Sequence, residues 1–112
     1  MSGIFIAGTG KYIPSAVVTN DDMAKIVDTS DEWITERTGI RRRHFSTGEP
    51  TSYMGIQAAR EAIGRAGITA ADIDMIIGTT VTPDYYYPSL ACMVQASIGA
   101  ESAFCWDLNA AC

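Results

Sequence analysis

Cysteine is scarce in this chain and follows no ligand pattern. Its three cysteines, Cys92, Cys105 and Cys112, form neither CxxC pairs nor cysteine/histidine pairs at zinc spacing, which argues against a disulfide framework and against a zinc site. Free thiols are expected. His44 is the only histidine, and with no thiol or carboxylate close behind it in sequence it is not assigned as a catalytic base. A basic excess is also missing. Eight Lys and Arg against 13 Asp and Glu give a net charge of -5, so no nucleic acid or anionic membrane is an expected partner, since either needs basic charge to offset phosphate. Arg41-Arg42-Arg43-His44, the one basic run, reads as solvated or ion-paired, with phosphate contact as the alternative. Long apolar runs are absent too. Ile4-Phe5-Ile6-Ala7 is too short for a secretory core and lacks a basic lead, and no stretch approaches membrane-spanning length; a cytoplasmic location is expected.

What is present suffices for a globular core: 47% of the 112 residues are apolar. The pattern predicts strand, helix, helix, helix, strand, helix, strand. Ile4 to Ala7 is apolar without alternation, as in a strand covered on both faces. Asn20 is positioned to cap a short helix running through Asp21 to Val27. Thr29 with Glu32 fits a capping box, opening a helix that reaches about Thr38 before Gly39 stops it. Thr51 or Ser52 starts a longer helix with Ile56, Ala59, Ile63 and Ala66 at one-face spacing, closed by Gly67. Met75 to Val81 is the second buried strand. Ser89 opens a helix to about Ile98, ended by Gly99, and Ala103 to Leu108 is the third strand, leading to Cys112. Apolar strands alternating with helices imply an α/β layered fold with a largely parallel sheet. Three strands make a small sheet, so a folding unit longer than 112 residues is expected.

Three constellations carry chemistry. Cys112 follows a strand through Asn109-Ala110-Ala111, the exit where α/β folds bind ligands, and small residues there leave room for a substrate to approach a nucleophilic thiol. Cys92 and Cys105 read as inert core thiols. Thr29, Trp33 and Arg37 stand at i, i+4 and i+8, so a hydroxyl, an indole and a guanidinium share roughly one helical face. That set fits a nucleotide, with the indole on the base and the guanidinium on a phosphate; the alternative is Trp33 in the core with Arg37 lying over it. Tyr85-Tyr86-Tyr87, held between Pro83 and Pro88, is a stiff amphipathic loop suited to an interface or a pocket rim, or simply to surface packing. Gly8-Thr9-Gly10 lacks the third glycine of a dinucleotide fingerprint.

Asp28-Thr29-Ser30-Asp31-Glu32-Trp33-Ile34, with Arg37-Thr38-Gly39-Ile40-Arg41 and Arg43-His44, resembles the N-terminal signature of the β-ketoacyl-acyl carrier protein synthase III family. Asp107-Leu108-Asn109-Ala110-Ala111-Cys112 resembles its active-site segment, and Gly8 to Pro14 and Tyr87-Pro88-Ser89 agree. The resemblance implies a thiolase-like fold of two similar α/β halves, usually dimeric, with residues 1–112 as an incomplete first half. It implies that Cys112 takes an acyl group from acyl-coenzyme A, and that the acyl-enzyme condenses with malonyl-acyl carrier protein with loss of carbon dioxide. Thr29, Trp33 and Arg37 then match residues that hold coenzyme A, which enters as a substrate; no separate cofactor or metal is implied. Val81 lies near the acyl pocket, and Tyr87 matches an aromatic that crosses a homodimer into the partner's site. The family's histidine and asparagine fall in the second half, and Asn109 departs from the small residue many members carry.

Two alternatives stay open: a synthase-III-like enzyme of specialised metabolism, making a ketide or quinolone or using another acceptor, and, in a different class, a non-catalytic binding module.

Overall fold

The computed structural model describes residues 3–111, so Cys112 lies outside the described residues. In chain order the elements are β1 (Ala16–Thr19), α1 (Asn20–Ala24), α2 (Asp31–Thr38), β2 (Arg42–Phe45), α3 (Thr51–Ala66), a 3-10 turn (Ala70–Asp72), β3 (Met75–Thr79), α4 (Leu90–Ile98) and β4 (Phe104–Leu108). Contacts divide them into two units: Ile13–Glu49, and the chain up to Tyr12 together with the chain from Pro50 onward.

The smaller unit pairs β1 with β2 antiparallel, from Ala16 opposite Phe45 to Thr19 opposite Arg42. Neither strand is expected from the sequence. β1 is short, and β2 takes in Arg42, Arg43 and His44 of the basic run, which pair in a ladder while Arg41, Arg42 and His44 stay exposed, as a solvated run would. His44 Nδ1 donates to the Pro14 carbonyl at 2.7 Å, a structural use of the one histidine. The cap of α1 is Thr19, not Asn20: Thr19 Oγ1 accepts from Asp22 N at 3.1 Å and the Asp22 carboxylate accepts from Thr19 N at 3.0 Å, a reciprocal capping box. Asn20 is instead 1% exposed. The cap of α2 is Ser30, whose Oγ accepts from Trp33 N at 3.1 Å; the expected box at Thr29 starts one residue too early.

In the larger unit β3 and β4 run parallel, Met75 opposite Phe104 through Thr79 opposite Leu108, as the α/β pattern predicts. The helix stops fall where glycine permits left-handed backbone: Gly67 after α3 (φ 67°) and Gly99 after α4 (φ 79°), as also Gly39 after α2 (φ 71°) in the smaller unit. Gly8 and Gly10 serve close packing. A Cβ at Gly8 would stand 2.5 Å from the Ala62 carbonyl oxygen, and one at Gly10 would overlap that of Ala58, so only glycine lets this segment lie on α3. Lys11 N adds a hydrogen bond to Glu61 at 2.8 Å, and Tyr12 meets Tyr53 edge-on at 5.4 Å.

Ile4 to Ala7 forms no strand among the described residues. It has no neighbouring ladder to join, and Phe5 is 82% exposed. The sheet is likewise covered on one face only. Met75 and Ile77 on β3 and Phe104, Trp106 and Leu108 on β4 form an exposed apolar face, while Ala91, Val94 and Ala103 are buried on the helix-covered side. This corrects the expectation of a sheet covered on both faces, and it follows from a parallel pair with two packed helices and no second layer among the described residues.

Candidate functional site

At the C-terminal ends of β3 and β4 a hollow of about 240 Å³ opens between Thr79, Thr80, Val81, Leu108, Ala110 and Ala111. Two parallel strands that end side by side leave such a crevice where their loops part, and it is the usual ligand position in open α/β sheets. Alanines on one wall and Val81 on the other make it largely apolar. Residue 112 follows Ala111 directly in the chain. Tyr87 does not line this hollow and is 91% exposed; Tyr85 and Tyr86 instead border a neighbouring one with Val81, Thr82, Pro83 and Asp84.

Two carboxylates hold the walls of this region, and neither stands out in the sequence. Asp107 on β4 accepts from Leu90 N at 2.7 Å and from Ala91 N at 2.8 Å, capping α4 from outside it, while Ser89 Oγ accepts from Cys92 N at 3.2 Å. Gly78 makes room for this, since a Cβ there would stand 2.5 Å from Asp107 Oδ1. Asp84, in the tyrosine loop, accepts from Thr51 N at 2.7 Å and Ser52 N at 2.9 Å. It supplies the cap that Pro50, lacking a side-chain hydrogen bond, does not. Burial alone would raise the Asp84 pKa, but hydrogen bonds from Ser52 and Thr51 outweigh it and hold the carboxyl below its ordinary range. Burial pushes the Cys105 thiol up, with Cys92 and Asp107 adding to it, in keeping with an unreactive thiol, although the side chain is half-buried and not in the core.

The second candidate set is on α2 in the smaller unit. Arg37 stacks over Trp33, its Cζ 4.4 Å from the ring centroid, a cation–π contact. Trp33 is 53% exposed, which sets aside the core reading of the indole while keeping Arg37 over it. The two side chains present an aromatic plane and a guanidinium together at a surface. Thr29 precedes the cap and is not on the helix, so the shared-face argument holds for Trp33 and Arg37 alone. Its Oγ1 is buried without a hydrogen-bond partner among the described residues.

Opposite that face, α2 is anchored by Asn20, which sequence reasoning assigned to a cap. Asn20 Nδ2 donates to Asp31 Oδ1 at 2.7 Å and to the Ile40 carbonyl at 2.8 Å, with Thr35 Oγ1 at 3.4 Å; Oδ1 accepts from Arg43 at 2.6 Å. Among the described residues no cluster of three His, Cys, Asp or Glu is arranged to hold a metal ion, and no helix is long and apolar enough to cross a membrane.

No family model matches the chain. Over all 112 of its residues it is 55% identical to the β-ketoacyl-[acyl-carrier-protein] synthase III of Clostridium acetobutylicum, covering 34% of that protein. The chain thus spans about a third of the length of the curated relatives it matches. It superposes on the crystal structure of 3-oxoacyl-[acyl-carrier-protein] synthase III from Aquifex aeolicus with a TM-score of 0.87 at 48% identity, over 94% of this chain and 34% of that one. The priming β-ketosynthase of the R1128 polyketide biosynthetic pathway gives a TM-score of 0.87 at 35% identity, over 94% and 32%. The fold is that of the N-terminal portion of these thiolase-fold enzymes.

Proposed function

From the premise that the chain belongs to the β-ketoacyl-[acyl-carrier-protein] synthase III family, we propose that it carries the nucleophile and the coenzyme A-binding helix of a condensing acyltransferase that initiates fatty-acid synthesis. The observation that carries the reading is the apolar hollow at the ends of β3 and β4, walled by Val81 and by the Ala110-Ala111 segment that leads into Cys112. The Cys112 thiolate attacks the carbonyl of acyl-coenzyme A, the carbon–sulfur bond to coenzyme A breaks, and the departing thiolate takes a proton. Malonyl-acyl carrier protein then loses carbon dioxide. The electron pair left on its α-carbon forms the new carbon–carbon bond at the acyl carbonyl, expelling the Cys112 sulfur and releasing 3-oxoacyl-acyl carrier protein.

The exposed Trp33–Arg37 stack supports binding of the nucleotide end of coenzyme A. Arg37 offers a fork of donors to phosphate and Trp33 a plane for adenine. Thr29, directly before the cap of α2, belongs to the same reading. Tyr87, exposed and outside the hollow of its own chain, fits a role in a homodimer partner's acyl pocket. The open apolar face of β3 and β4 fits residues 1–112 as an incomplete first thiolase-like half awaiting its layer partner. A cytoplasmic location is part of the same reading.

Incubating the full-length polypeptide with radiolabelled acyl-coenzyme A should place label on Cys112, with the Cys112→Ala variant unlabelled; normal labelling of that variant would refute the assignment. The likeness to a polyketide priming ketosynthase favours a second reading, a synthase-III-like enzyme of specialised metabolism. Turnover with malonyl-coenzyme A in place of malonyl-acyl carrier protein would favour it over the first.

A further inference from the structure

We infer that Asn20 is a positioning residue for coenzyme A recognition, holding α2 by one face so that the opposite face presents Trp33 and Arg37 as a preformed stack. This rests on the reading that Trp33 and Arg37 bind the nucleotide end of the thioester substrate. Asp31 and Thr35 are four residues apart on α2, as are Trp33 and Arg37. The two pairs are offset by two residues, about 200° around an α-helix, so one pair faces inward when the other faces out. Asn20 meets the inward pair, and it also holds the Ile40 carbonyl just past the Gly39 turn. A single buried amide thus ties the first turn of α2 and the chain beyond its last turn to the start of α1.

The amide's orientation is set by its partners. Arg43 donates to Asn20 Oδ1 at 2.6 Å and to the Val18 carbonyl at 3.3 Å, so the oxygen must face the guanidinium and the NH2 must face Asp31 and Ile40. Thr35 Oγ1 donates to Asp31 Oδ1 at 3.2 Å, closing the network. Every polar end of the amide is met by a charged or backbone group, which is what makes the buried site rigid and specific. α2 is only eight residues long, too short to hold its own shape by propensity, so the pose of its recognition face depends on this anchor.

The experiment compares acyl-coenzyme A with an acyl thioester lacking the nucleotide, such as the N-acetylcysteamine thioester, in the full-length enzyme. Asn20→Asp keeps the volume and the acceptor for Arg43 but sets a carboxylate oxygen against Asp31. It removes both Nδ2 hydrogen bonds, to Asp31 and to the Ile40 carbonyl, and should raise KM for acyl-coenzyme A about tenfold or more, while leaving kcat and the kinetics of the short thioester within about a factor of two. Adding Asp31→Asn supplies a donor to that carboxylate and should recover part of the KM, the Ile40 carbonyl staying unmet, a coupling that a double-mutant cycle reads directly. Equal loss on both thioesters, no change on either, or a folded double variant without recovery would overturn the inference. Trp33→Ala in the same assay separates the two layers of the reading. If it leaves KM for acyl-coenzyme A unchanged, the nucleotide assignment fails and takes the inference with it; if Trp33→Ala raises KM and Asn20→Asp does not, the positioning role alone fails.

Discussion

The two units of the chain are organised around opposite kinds of centre. In Ile13–Glu49 the largest fully buried side chain is polar, Asn20, and order comes from hydrogen bonds converging on it. In the larger unit the buried residues are mainly alanines and valine, and order comes from close fit: glycines at positions 8, 10 and 78 that let backbones and side chains approach, and carboxylates that cap α3 and α4 from elsewhere in the chain. The difference suits the proposed roles. Recognition of a charged nucleotide needs a directional scaffold, which hydrogen bonds supply, whereas a crevice beside a nucleophile needs dry, small walls, which fit supplies.

If fit governs the larger unit, the largest effect should come where it is tightest. At Gly10 an added Cβ would overlap the Ala58 carbonyl and lie 2.6 Å from Ala62 N, both backbone atoms of α3 that cannot swing aside. Gly10→Ala is expected to cost about 3 kcal/mol or more, read as a fall in the urea midpoint at unchanged slope. A loss below about 0.5 kcal/mol would show that the N-terminal segment is free to lift off α3, and the contrast between the units would lose its basis.

A smaller effect is expected at Asp84, where the larger unit borrows a directional device. Its folded pKa is depressed, so its contribution is fully present above the unfolded value of about 3.9 and is lost as pH falls through the lower folded value. Asp84→Asn leaves an NH2 group facing one of the two α3 donors, and should cost about 1–2 kcal/mol at pH 7. The gap between wild type and variant should narrow below about pH 4, because the wild-type carboxyl is then protonating. Urea unfolding across that range checks it, and a gap that stays constant or widens on acidification would mean that the carboxylate charge is not what caps α3.

Features that depend on near neighbours were legible in the sequence. The stops at Gly39, Gly67 and Gly99 follow from the need for positive φ at the end of a helix, and the parallel pairing of β3 with β4 follows from two apolar runs separated by a helix. The adjacency of Trp33 and Arg37 follows from helical spacing. What was misread depends on partners far along the chain. Asn20 looks like a cap because it precedes two aspartates, yet its partners lie 11 to 23 residues away. Arg41 to His44 reads as a solvated or ion-paired run and is largely exposed, but the ladder it joins needs β1, far back in the chain. Ile4 to Ala7 has strand composition, but composition does not supply a neighbouring strand. Asp84 and Asp107 resemble any loop or strand-end carboxylate, since the helices they cap begin 33 and 17 residues distant.

The smallest expected effect uses the same substitution as the largest and should have the opposite sign. Gly64 sits in the last turns of α3, with nothing within 4 Å of the position its Cβ would take and no positive φ to accommodate. Gly64→Ala therefore adds helix propensity and removes freedom from the unfolded chain without touching a neighbour, and should raise stability by about 0.5 kcal/mol. Thermal melts of the Gly10→Ala and Gly64→Ala variants side by side isolate the role of fit, because the chemistry of the change is identical and only the surrounding space differs. Destabilisation at Gly64 comparable to that at Gly10 would point to a general intolerance of α3 to substitution, and close approach would no longer distinguish the larger unit from the polar-centred smaller one.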